Sequence, residues 1–95
     1  MDKEFSLQDK IFIAGSTGMV GSSIFRNLKK AGYGSSKNGG KIFTPTRKEL
    51  NLFNYNEVNQ WFSKFKPNIV ILAAAKVGGI LANKSKPADF ILENL

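Results

Sequence analysis

The chain has 95 residues, enough for one domain at most, and its 42% hydrophobic and 22% charged residues match a globular protein. It contains no cysteine and no histidine. That excludes disulfides, Cys/His zinc sites, cysteine nucleophiles, Ser-His-Asp triads and any histidine base within these residues. Fourteen basic residues against seven acidic give a formal charge of +7. They are scattered from Lys3 to Lys86, and only Arg26 and Arg47 are arginine. A solvated lysine surface therefore fits better than a nucleic-acid interface.

Residues 1–9 read as an N-terminal leader, charged at Asp2, Lys3 and Glu4, with no apolar signal core. The longest wholly apolar run, Ile69 to Ala75, is too short to span a membrane, so a cytoplasmic protein with no membrane partner is expected. Lys10 to Ala14 is a compact apolar run rich in strand formers and is expected as a buried strand, ended by Gly15. Val20, Ile24, Leu28 and Ala31 then recur at helical spacing, with Gly32 where a helix terminator belongs. Residues 33–40 form a turn-rich connection, and Lys41 to Thr44 makes a second strand closed by Pro45.

Asn54 and Glu57 have capping-box spacing before Val58, Trp61, Phe62 and Phe65, an apolar stripe that predicts a second helix. Pro67 stops it, and Asn68 to Ala75 follows as a third, fully buried strand. A loop from Lys76 to Lys86 leads to Pro87, where Ala88, Ile91, Leu92 and Leu95 begin another helix face. Strands without polar alternation, separated by helices, predict an α/β fold. Its Rossmann-type parallel sheet would be one βαβαβ half with a partial following helix. Residues 10–95 are thus expected to be the N-terminal part of a Rossmann domain, truncated because no stop signal precedes Leu95.

Gly15-Ser16-Thr17-Gly18-Met19-Val20-Gly21 stands between the first strand and the first helix. Its G-x-x-G-x-x-G spacing supplies one glycine for a tight turn, one for close approach of a pyrophosphate and one for helix-to-strand packing. The helix amides and dipole would face the anion. A Walker A loop is excluded, since no Gly-Lys-Ser/Thr follows. NAD selection would want an acid at the end of the second strand, where this chain has Thr44, Pro45, Thr46, Arg47 and Lys48 before Glu49. A guanidinium there suits a 2′-phosphate, so NADP (NADPH) is favoured over NAD.

The sequence resembles the extended short-chain dehydrogenase/reductases, and within them the GDP-L-fucose synthase family. The resemblance lies in Ile11 to Gly15, Gly18 to Ser22, Thr46 to Leu52, Leu72 to Ile80, Pro87 to Ile91 and Glu93 to Leu95. It implies an NADPH-dependent epimerase/reductase acting on GDP-4-keto-6-deoxy-mannose. Gly15 to Gly21 would hold the pyrophosphate and Arg47 the adenosine 2′-phosphate. Lys48, Glu49, Leu50, Asn51 and Leu52 would line the adenine side. Ala73, Ala74 and Ala75 would pass beneath the cofactor, with Val77, Gly78 and Gly79 near the nicotinamide and sugar. Many members of that family carry a basic residue where this chain has Thr17, leaving Arg47 with less help.

Reduction in the resembled superfamily uses a Tyr-x-x-x-Lys pair on one helix. Tyr33 and Lys37 match that string, but Gly32, Gly34, Gly39 and Gly40 make the segment a loop, so the pair is rejected. The resemblance also implies a cysteine and a histidine as epimerase acid and base, and this chain has neither. The isolated chain is therefore expected to be inactive, its GDP-sugar substrate met only by the whole enzyme. A stand-alone NADP-binding module is the alternative. A half-domain with open sheet edges is also expected to aggregate, to fold only with a partner's help or to self-associate, with a homo-oligomer expected.

Overall fold

The computed structural model describes residues 5–73, 81–84 and 86–94. Seven elements follow one another: β1 (Lys10–Ala14), α1 (Met19–Lys30), β2 (Lys41–Phe43), α2 (Tyr55–Phe65), β3 (Ile69–Leu72), β4 (Leu81–Asn83) and α3 (Pro87–Asn94). The strands form one sheet in the order β2-β1-β3-β4. β1 runs parallel to both β2 and β3, as expected. β4 is antiparallel to β3, pairing Val70 with Asn83 and Ile71 with Ala82. This corrects the expectation of an unbroken loop over residues 76–86: the chain turns back to pair one edge of the parallel trio.

The connection through α1 runs from β1 to one neighbour, and the connection through α2 crosses back past β1 to the other. Right-handed crossovers that reverse direction must lie on opposite faces of a sheet. The packing obeys this. Ile11, Ile13, Ile69 and Ile71 are buried on one face, beneath Ile24, Phe25 and Leu28 of α1. Phe12, Ala14, Val70 and Leu72 are buried on the other, with Val58 and Phe62 of α2 and Ile91 of α3. The register sets Ile11 beside Ile69 and Phe12 beside Val70, so each face gathers one parity of both strands. Continuous apolar runs in β1 and β3 are the consequence of helices covering both sides.

The apolar stripe of α1 differs from the expected one. Val20 and Ala31 are exposed, and Phe25 joins Ile24 and Leu28 against the sheet. Gly21, not Val20, is the buried residue of the first turn, because the helix approaches the preceding turn too closely for a side chain. In α2 the expected cap forms by half. Asn54 Oδ1 accepts the Glu57 N–H at 3.1 Å, but Glu57 Oε1 accepts from Asn51 N at 3.3 Å instead of returning to Asn54. The helix ends at Lys66, a left-handed cap at φ 50° whose N–H donates to the Phe62 carbonyl.

At the amino edge of the sheet, Asn68 clamps β3 to β1. Its side-chain oxygen accepts from Lys10 N at 2.9 Å and its N–H donates to the Lys10 carbonyl at 2.7 Å. The residues just before β1 are also held. Phe5 packs on the isoleucine face, and the Asp9 carboxylate accepts from Ser6 N at 2.7 Å and from Lys84 Nζ at 3.0 Å. The ion pair joins positions 75 residues apart and is largely sheltered, its side chains only 20% and 10% exposed. Removing one partner of a sheltered charge costs more than losing a surface pair, so Lys84→Met is expected to destabilise the protein by about 1–3 kcal/mol. Urea unfolding measures it. A loss under about 0.5 kcal/mol, the level of an exposed pair, would mean that the Ser6 turn alone satisfies Asp9.

Candidate functional site

A cleft of about 770 Å³ opens where β1 and β2 end. Its floor is Phe12, Ile13 and Ala14 of β1 with Leu72 of β3. One wall is Gly15, Ser16 and Thr17; the other is formed by Pro45, Thr46, Arg47, Leu50, Asn51, Leu52 and Phe53. The reversal of winding at β1 causes it. Successive connections leave β1 for opposite faces, and the gap between them falls at the carboxyl ends of the strands.

The three motif glycines do different work. Gly15 sits at φ +84°, a backbone state that costs other residues, and its carbonyl accepts the Gly18 N–H at 3.2 Å to close the turn. Gly21 allows backbone contact: a Cβ there would overlap the Gly15 carbonyl, with its carbon at 2.6 Å and Ser16 Cα at 2.9 Å. Gly18 has an ordinary φ of −74°, and an added Cβ would meet only the Gly15 oxygen at 3.5 Å. The protein's own packing does not require glycine at that position.

Gly18 is the N-cap of α1 and supplies no side-chain acceptor. The N–H groups of Met19, Val20 and Gly21 have no hydrogen-bond partner among the described residues, and the first turn carries no acid. Lys29 and Lys30 close the last turn, so charge along the helix already complements its dipole at that end only. The amino end is an uncompensated partial positive charge beside the cleft.

Opposite, residues 46–50 form a tight turn in which the Thr46 carbonyl accepts from Glu49 N at 3.0 Å and Leu50 N at 2.9 Å. Leu50 is buried in the α2 face of the core and anchors this wall, while Arg47 is exposed at the cleft. Lys48 and Glu49 belong to the same turn but do not line the cleft. No carboxylate lines it among the described residues.

Of the residues expected to bind a ligand, the structure brings Gly15, Ser16, Thr17, Arg47, Leu50, Asn51 and Leu52 to one cleft. Gly18, Met19, Val20 and Gly21 follow that wall directly in the chain, at the start of α1, and do not themselves line the cleft. Ala73 extends the central ladder by donating to the Ala14 carbonyl at 2.9 Å, and is not on the cleft wall. Ala74, Ala75, Val77, Gly78 and Gly79 lie outside the described residues. The strand floor, Pro45, Thr46 and Phe53 were missed from the sequence; position could have found the β1 part of the floor, since the residues just before a glycine turn sit at the carboxyl end of the strand. Tyr33 and Lys37 fall in a turn and a short 3₁₀ segment at Ser36–Asn38, against the amino ends of the strands. That string has no helix to act from.

A glycine turn feeding an uncapped helix at the winding reversal of a mainly parallel sheet defines a Rossmann-type α/β domain. The chain belongs to the NAD dependent epimerase/dehydratase family, whose model matches residues 11–95. It is 49% identical over 86 residues to GDP-L-fucose synthase 1 of Arabidopsis thaliana, covering 90% of this chain and 25% of that protein. It is 44% identical over 88 residues to the GDP-L-fucose synthase of Escherichia coli strain K12, covering 93% of this chain and 26% of that one. Among solved structures it resembles a GDP-mannoheptose C4 reductase from Campylobacter jejuni with NADP bound. That match has a TM-score of 0.64 and 34% identity, over 75% of this chain and 21% of the other. The chain thus spans about a quarter of the length of these relatives. None of the described helices is long and apolar enough to cross a membrane.

Proposed function

We propose that this chain forms the adenosine and pyrophosphate side of an NADP(H) site in a GDP-L-fucose synthase-like nucleotide-sugar epimerase/reductase. One observation carries the reading: the glycine turn and Arg47 face each other across a single cleft with no carboxylate on its described walls. The residues fit the group. Gly18 offers a backbone face that the fold itself leaves open, and the free amides of Met19, Val20 and Gly21 suit a pyrophosphate. Arg47 would pair with the 2′-phosphate, and Leu50 and Leu52 would supply apolar contact to the adenine. When bound, the cofactor supplies hydride to a keto-sugar. The proton donor, the epimerising groups and the GDP-sugar contacts would come from the rest of a protein about four times this length, itself cytoplasmic and a homo-oligomer.

Titration with NADPH and NADH, followed by cofactor fluorescence, tests the reading. Arg47→Ala is expected to weaken NADPH by about 1.5–3 kcal/mol, the worth of a charge-assisted bond, and NADH little. Equal weakening of both cofactors would refute the role of Arg47. Absence of saturable binding by the unsubstituted protein would refute the site.

A further inference from the structure

The wall that carries Arg47 is irregular, yet its main chain is held by its own side chains. Glu49 Oε1 accepts from Thr46 N at 2.9 Å, and Thr46 Oγ1 accepts from Glu49 N at 3.3 Å. Asn51 Oδ1 then accepts from Phe53 N at 3.0 Å, and Glu57 Oε1 accepts from Asn51 N at 3.3 Å. Glu49 and Glu57 are the only acids between Lys10 and Ala88 in the sequence. Both have an oxygen committed to a main-chain N–H of this one segment.

An acid near the end of the second strand ordinarily accepts from a ribose 2′-hydroxyl and repels a 2′-phosphate. Glu49 is close enough in sequence to do both, two residues from Arg47. Instead it bonds back to Thr46, and the turn so closed leaves Arg47 on the cleft wall and Glu49 off it. We infer that the reciprocal Thr46–Glu49 bond is a selectivity device. Glu49 acts as a positioning residue that fixes the turn presenting Arg47 and keeps its own carboxylate from the ribose. The inference rests on the NADP(H) reading and adds to it a cause of cofactor choice outside the arginine.

The test is the ratio of NADPH to NADH affinity in the protein, in Arg47→Ala and in four further variants, read by cofactor fluorescence. Thr46→Val removes the hydroxyl and Glu49→Ala the carboxylate; each is expected to lower the ratio about three- to ten-fold, the worth of a lost cap. Thr46→Ser and Glu49→Gln keep an acceptor at the same reach and are expected to hold the ratio within about two-fold. Both side chains are exposed, so melting temperatures should stay within about 4 °C of the parent. A role in stability alone would weaken both cofactors together and leave the ratio unmoved, which overturns the inference. So does a fall in Glu49→Gln equal to that in Glu49→Ala, because then charge and not the bond matters. If Arg47→Ala lowers the ratio while Thr46→Val and Glu49→Ala do not, the NADP(H) site stands and the device fails. A parent that binds neither cofactor overturns both.

Discussion

Phe12→Ala is expected to cost about 3–5 kcal/mol, the range for emptying an aromatic core site, and to leave much of the protein unfolded. Phe12 is 1% exposed and central to β1, which pairs with β2 on one side and β3 on the other. Its ring lies 5.2 Å from Trp61, edge to face at 69°, and 5.2 Å from Phe62. Trp61 in turn meets Phe43 of β2 at 5.1 Å. One ring therefore ties the central strand, its neighbour and α2 together, and the cavity left by alanine would open at the floor of the cleft. Trp61 is the only tryptophan, so its fluorescence in urea reports the loss directly. A cost under about 1 kcal/mol would mean that α2 settles onto the sheet and fills the space.

Gly21→Ala is expected to cost about 1–3 kcal/mol or more, although the helix interior would by propensity gain nearly 1 kcal/mol from alanine. The two effects have opposite signs, and geometry decides between them. The new Cβ would overlap the Gly15 carbonyl, which is main chain on a turn already held at φ +84° and has no rotamer through which to yield. The start of α1 would have to lift from β1, and the free amides beside the cleft would move with it. Gly18→Ala offers the contrast. Its Cβ would rest 3.5 Å from the nearest atom, so it should leave the melting temperature nearly unchanged. Urea unfolding of the two alanine variants side by side measures the difference, and equal cost would mean that the close approach at Gly21 is relieved elsewhere.

The local pattern was enough for β1, α1, β2, α2, the core of β3 and the Pro87 start of α3, because each is written in neighbouring residues. Hydrophobic period and turn chemistry are short-range properties. The glycine spacing likewise announced its turn, since both the positive φ at Gly15 and the contact at Gly21 arise within seven residues. Signals that span the fold were harder to read. β4 is three residues long and exists through its pairing with β3, so nothing local marks it. Val20, expected on the apolar face of α1, is exposed, and Phe25 packs on the sheet, because the axis of α1 is set by glycine contact at its start. The hydrogen bond from Thr46 N to Glu49 Oε1 is likewise not announced by the spacing alone, since it depends on how the turn closes.

Length, charge and the missing cysteine and histidine were determined by sequence alone, and so was the alternation of strands with helices around a glycine turn. Those features depend on composition and on spacing along the chain. The tertiary structure decided that β3 lies beside β1 and not beside β2, so that winding reverses within these 95 residues and a cleft opens there. Buried apolar strands can pair with any similar neighbour. Only the packing of α1 and α2 on opposite faces selects the order that brings Arg47 across from Gly15.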